Sequence, residues 1–124
     1  MGEIMNGKVD WEYAREAVGD SPELLLELVE IFFTEYPKLI TGISTSIQSE
    51  HCVDLRRFAH TLKGSLRYFG KTQAGELSHR LELMGRDEQI EGATELFGEL
   101  QSELDTLLPE LTAFAASQPS DPDA

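Results

Sequence analysis

The stretch Leu55-Arg56-Arg57-Phe58-Ala59-His60-Thr61-Leu62-Lys63-Gly64-Ser65-Leu66-Arg67-Tyr68-Phe69-Gly70 decides how the chain is read. At about 100° per residue, Leu55, Phe58, Ala59, Leu62, Leu66 and Phe69 share one helix face, spaced three or four apart. Gly70 stands where a helix C-cap belongs. The opposite face carries Arg56, Arg57, His60, Lys63, Gly64 and Arg67. His60 lies roughly 160° from the centre of the apolar stripe, so its ring is directed at water or at a partner.

Three features of that face belong together. The helical neighbours of His60 include Arg56, Lys63 and Arg67. Like charges disfavour imidazolium, which points to a neutral, nucleophilic ring, and the same cations would stabilise an anion carried on it. Gly64 sits in mid-helix, where glycine costs about 1 kcal/mol relative to alanine. Without a side chain one turn from the histidine, a bulky partner has room to come close.

Working outward, the flanking sequence is helical throughout. Asp10 is placed to cap a short helix from Trp11 to Val18 that Gly19 ends, with Trp11 and Tyr13 as packing residues. Ser21 and Pro22 are a strong helix start. Leu25, Leu28, Phe32, Tyr36, Leu39, Ile43 and Ile47 then keep one phase through Pro37, which predicts a single long, kinked helix over 22–48. The helix of His60 is expected over 51–69. Thr72 caps a fourth, with Ala74, Leu77, Leu81 and Met84 buried and Gly85 and Asp87 marking its end. A fifth is expected from 88, with Ile90, Ala93, Phe97, Leu100, Leu104, Leu107, Leu111 and Phe114 as its seam and a bend at Pro109. The organisation expected is a flexible lead-in over 1–9, a helical bundle over 10–116 and a disordered tail over 117–124. The fold class is all-α: an antiparallel up-down four-helix bundle with a short extra N-terminal helix.

Composition narrows the function classes. The chain has 124 residues and a net charge of −13, which argues against nucleic acid as a partner. Residues 51–86 nevertheless hold seven Lys/Arg against three Asp/Glu, a local excess of +4 on a body that carries −17. A basic patch on an acidic body suits docking to something negatively charged. No stretch is apolar enough to span a bilayer, and no signal peptide is expected. The single Cys52 cannot close an internal disulfide, which fits a reducing cytoplasm. Glu76 and His79 form one Glu-x-x-His, but a di-metal site in a bundle needs a second copy and two further glutamates; no metal site is expected. There is no glycine-rich phosphate loop and no room for an ATP-binding kinase domain, so no ATP-dependent kinase activity is expected.

The order His60-x-Leu62-Lys63-Gly64-Ser65, with Gly70 beyond it, resembles the signature of histidine-containing phosphotransfer (HPt) domains, and the resemblance covers about residues 10–115. It implies a phosphotransfer intermediate in a two-component phosphorelay, with His60 taking a phosphoryl group from a receiver-domain aspartate and passing it to another receiver. On this resemblance Lys63 offsets charge on the phosphoryl oxygens, Gly64 leaves room for the receiver, and Ser65 and Arg67 support the site. Arg56, Arg57 and Lys71 are the docking cations. The domain needs no cofactor of its own, the Mg²⁺ being supplied by the receiver. The partners implied are response-regulator receivers or a hybrid sensor histidine kinase, met as a monomer. His79 and Glu82, His-x-x-Glu, also look like the phosphoacceptor domain of chemotaxis-type histidine kinases. There a lysine three after the acceptor and a histidine and glutamate on the next helix surround it. In that reading Glu82 fixes the tautomer of the acceptor, which a separate kinase phosphorylates directly. An interaction module that keeps the fold without the transfer is the remaining alternative.

Overall fold

The computed structural model describes residues 8–118. The elements are α1 (Trp11–Ala17), α2 (Pro22–Gln48), α3 (Cys52–Leu66), a 3₁₀ turn (Arg67–Phe69), α4 (Gln73–Arg86) and α5 (Ala93–Ser117), with no strand among the described residues. Local chemistry sets most of the starts. Asp10, Ser21 and Thr72 accept at their side chains from the backbone N–H of Tyr13, Leu24 and Gly75, and Pro22 occupies the first turn of α2. At α3 the cap is His51, whose ring nitrogen accepts from the Asp54 N–H, a structural use for a histidine that has no other assigned.

The helix α3 packs against α2 and α4, and α5 against α4 and α2. The face predicted for α3 is buried as read, with Leu55, Ala59, Leu62 and Leu66 at no exposure and Phe69 beneath the 3₁₀ turn. Phe58 is only half-buried; its ring lies over Gly42 of α2, where a Cβ would approach to 2.8 Å. Register along α3 and α4 is set by three contacts. Gly75 lies by Leu66, Glu82 by His60 and Lys63, and Gly85 by Cys52 and Arg56. These two helices therefore run antiparallel.

Several expectations are corrected. The helix of His60 gives way to 3₁₀ geometry after Leu66 and stops at Gly70, whose φ of 97° favours glycine. As expected, α2 is one helix over Pro22–Gln48 with Pro37 inside it, exposed. Tyr13 is 48% exposed, because the buried side of α1 is the one defined by Ala14 and Val18. As expected, α4 ends beside Gly85, with Arg86 its last residue and Asp87 its cap. The fifth helix starts at Ala93, not at 88. Glu88 and Gly92 both have positive φ, so the segment turns a corner first and Ile90 precedes the helix. Leu96 is fully part of the α5 seam, whereas Phe97 and Phe114 are half-buried. Val9, placed by its sequence in the lead-in, is buried, and its N–H donates to Glu110 Oε2 at 3.1 Å. Ser117, placed in the tail, is the last residue of α5. The rest of the lead-in, 1–7, and of the tail, 119–124, lies outside the described residues. Among the described residues no helix is long and apolar enough to cross a membrane.

Candidate functional site

His60 projects from the middle of α3 with its side chain 65% exposed. Its Nδ1 is 3.0 Å from Oε2 of Glu82 on α4. The other oxygen, Oε1, is 2.7 Å from the Lys63 ammonium and is shielded from solvent without an aligned hydrogen bond. Its satisfaction is therefore an ion pair. One carboxylate thus holds two side chains of α3, one turn apart.

The Glu82 side chain is only 14% exposed, lying under His60 and Lys63 at the edge of the helix seam. Burial pushes its carboxyl up. The close contacts with Lys63 and His60, with their charges, outweigh that and hold it below the ordinary value of 4.5. Glu82 is thus an anion at neutral pH. A carboxylate only accepts, so the proton of the shared hydrogen bond sits on His60 Nδ1. The lone pair of the neutral ring is then on Nε2.

His79, on the same helix as Glu82, completes the cluster. Its Nδ1 is 3.5 Å from Lys63 Nζ and 3.7 Å from Glu82 Oε1. In the contact with Lys63 the ammonium donates and His79 Nδ1 accepts. Lys63 is thereby fixed between a carboxylate and an imidazole.

The remaining site candidates are distributed along the exposed side of α3. Gly64 is exposed, and a Cβ there would meet nothing within 4 Å. Arg56 and Arg67 are exposed and form no ion pair among the described residues. Arg57 is bound within its own helix, to Asp54 Oδ1 at 3.1 Å, and lies 4.4 Å over the Phe58 ring, so its charge is partly engaged. The Ser65 hydroxyl donates to the Thr61 carbonyl at 3.2 Å, which keeps it off the cluster. Lys71 is exposed just beyond the 3₁₀ turn. Sequence reasoning passed over Val53, which is 72% exposed. Seven residues before His60, it returns to nearly the same side of α3 and adds an apolar spot to the basic face.

Comparison with known proteins gives these features a family. The model of the Hpt domain matches residues 27–110, which include α3, α4 and all four clustered side chains. Among solved structures, the crystal structure of histidine-containing phosphotransfer protein B (HptB) from Pseudomonas aeruginosa is similar with a TM-score of 0.82 at 15% identity. The match covers 90% of this chain and 96% of that one. No curated protein matches this chain. With more than half of its length matched, and with an exposed histidine on the matched segment, the chain belongs to the Hpt domain family, whose members serve as histidine phosphotransfer modules in two-component phosphorelays.

Proposed function

We propose that the chain relays a phosphoryl group between receiver-domain aspartates through His60, within an antiparallel up-down four-helix bundle formed by α2–α5. The observation that carries this is the exposed His60 ring whose Nδ1 is held by the Glu82 carboxylate. Nε2 attacks the phosphorus of a receiver aspartyl phosphate in line. The N–P bond forms as the P–O bond to the aspartate breaks, and the aspartate leaves as a carboxylate. The developing positive charge on the ring is matched by Glu82, which keeps the Nδ1 proton. Lys63, 2.7 Å from Glu82, is close enough to offset charge on the phosphoryl oxygens. Arg56 and Arg67 steer the acidic partner to this face, and Gly64 leaves room beside the ring. The Mg²⁺ that such a transfer uses belongs to the receiver. The domain acts as a cytoplasmic monomer with receivers or a hybrid histidine kinase as partners.

The His60–Lys63–His79–Glu82 cluster also favours a second reading, direct phosphorylation by a chemotaxis-type kinase. Incubating the protein with receiver domains charged by acetyl phosphate, and separately with such a kinase and ATP, decides between them. The relay predicts His60-dependent label from a receiver. Label from the kinase alone supports the second reading, and label from neither leaves an interaction module.

A further inference from the structure

Gly85 lies where the backbones of α3 and α4 meet. A Cβ on it would come within 2.7 Å of the Arg56 nitrogen, 2.7 Å of the Cys52 carbonyl oxygen and 3.0 Å of the Arg56 Cα. These are backbone atoms, which cannot rotate aside as a side chain does. Gly85 is buried and is the penultimate residue of α4, one turn from the site. Its φ is not positive, so no left-handed helix cap calls for glycine there. Gly85 follows Glu82 by three residues on α4, and Arg56 precedes His60 by four on α3. In an antiparallel pair these are successive rungs of one ladder.

The rung at Glu82 is sensitive to helix spacing. The carboxylate has to reach His60 Nδ1 at 3.0 Å and Lys63 Nζ at 2.7 Å together. Spreading the helices by roughly 0.5 Å takes the first contact out of the range of a good hydrogen bond. We propose that Gly85 is a positioning residue for phosphoryl acceptance. By letting the two backbones touch, it sets the spacing at which Glu82 can hold His60 and Lys63 at once. This rests on the phosphotransfer reading. Gly85 touches no reacting atom and acts through Glu82 alone.

Gly75 offers an internal comparison at the other end of the same seam. A Cβ there would meet only side-chain atoms, Thr72 Oγ1 at 3.3 Å and Leu66 Cβ at 3.9 Å. The test compares Gly85→Ala, Gly75→Ala, Glu82→Gln and the double variant Gly85→Ala/Glu82→Gln. All are made in a Gly98→Ala background. Gly98 is exposed on α5 with open space around it, so alanine there favours the helix without touching the seam. Leu107→Ala, in the buried seam of α5, controls for lost stability as such. Two quantities are read: the protonated ring nitrogen of His60 by ¹⁵N NMR in the unphosphorylated protein, and the transfer rate from an acetyl-phosphate-charged receiver with Mg²⁺. Gly85→Ala is expected to lose the preference for Nδ1–H and to slow transfer on the order of tenfold, as other outer-sphere changes do. The double variant should be no slower than Glu82→Gln alone, and Gly75→Ala and Leu107→Ala should keep the wild-type tautomer. A wild-type tautomer and rate in Gly85→Ala overturns the proposal. So does a slowing that adds in full to that of Glu82→Gln, which marks independent action. If the tautomer responds as expected but no variant, wild type included, accepts phosphoryl, the spacing role stands and the phosphotransfer reading falls.

Discussion

The seam between α3 and α4 and the corner where α1 meets α5 are held by different chemistry. At the corner, Trp11 stacks on Phe114 with ring centroids 5.0 Å apart, over a small cluster of Ala14, Val18 and Leu25. A cleft of about 490 Å³ opens beside them. These contacts are apolar and non-directional; their strength follows the area covered and changes gradually as side chains shift. At the seam, one carboxylate serves His60 and Lys63 within 3.0 Å, and such contacts weaken steeply with distance and angle. The corner therefore contributes stability with latitude, while the seam contributes geometry without it. Substitutions at one should leave the other's observable alone.

The largest stability effect is expected at the corner. Trp11→Ala should cost about 2–3 kcal/mol, toward the low end for a large aromatic because the ring is only half-buried. Transfer per folded molecule should stay within about twofold of wild type. Denaturant titration and a transfer assay on the same preparation check it, and transfer lost in step with stability would erase the distinction.

Glu82→Gln should invert that pattern, slowing transfer on the order of tenfold with a modest change in stability. Its pH dependence sharpens the point. Glu82 titrates below 4.5 in the folded protein. Its contribution to stability is therefore complete above pH 4.5 and is lost as pH falls through the lower folded value. The stability difference between wild type and Glu82→Gln should shrink as pH falls below 4.5. A difference that grows as pH falls below 4.5 contradicts the ion-pair account.

The smallest effect is at Gly64. Since a Cβ there meets nothing, Gly64→Ala should raise stability by up to about 1 kcal/mol while Gly64→Gln, equally folded, transfers more slowly. Wild-type transfer in Gly64→Gln would mean that the partner approaches from elsewhere.

What the sequence disclosed follows the range of the interactions involved. The caps at Asp10, Ser21 and Thr72 join a side chain to a backbone three residues on, so they can be read locally. The face of α3 is readable because one helical period separates Leu55, Ala59, Leu62 and Leu66 from His60. Gly85 was legible only as a mark of the end of α4, since the Arg56 and Cys52 backbone that it lies against is on another helix. Glu82 was singled out by family likeness; its wheel position alone gave a solvated face, since the wheel does not say which helix covers it. The basic surroundings read for His60 were incomplete for the same reason. The nearest charge to its Nδ1 is an anion from α4. The late start of α5 turned on the positive φ of Glu88, a residue whose type gives no signal for it.

The central claim is that Glu82 holds the Nδ1 proton of His60 so that Nε2 accepts the phosphoryl group. It is tested by determining which ring nitrogen carries phosphorus after transfer from a charged receiver, with ¹⁵N-labelled histidine and phosphorus-coupled NMR. The account predicts one acid-labile, alkali-stable phosphate per chain, bonded to Nε2 of His60 and absent from His60→Gln. Phosphorus on Nδ1, or label that persists in His60→Gln, would contradict it.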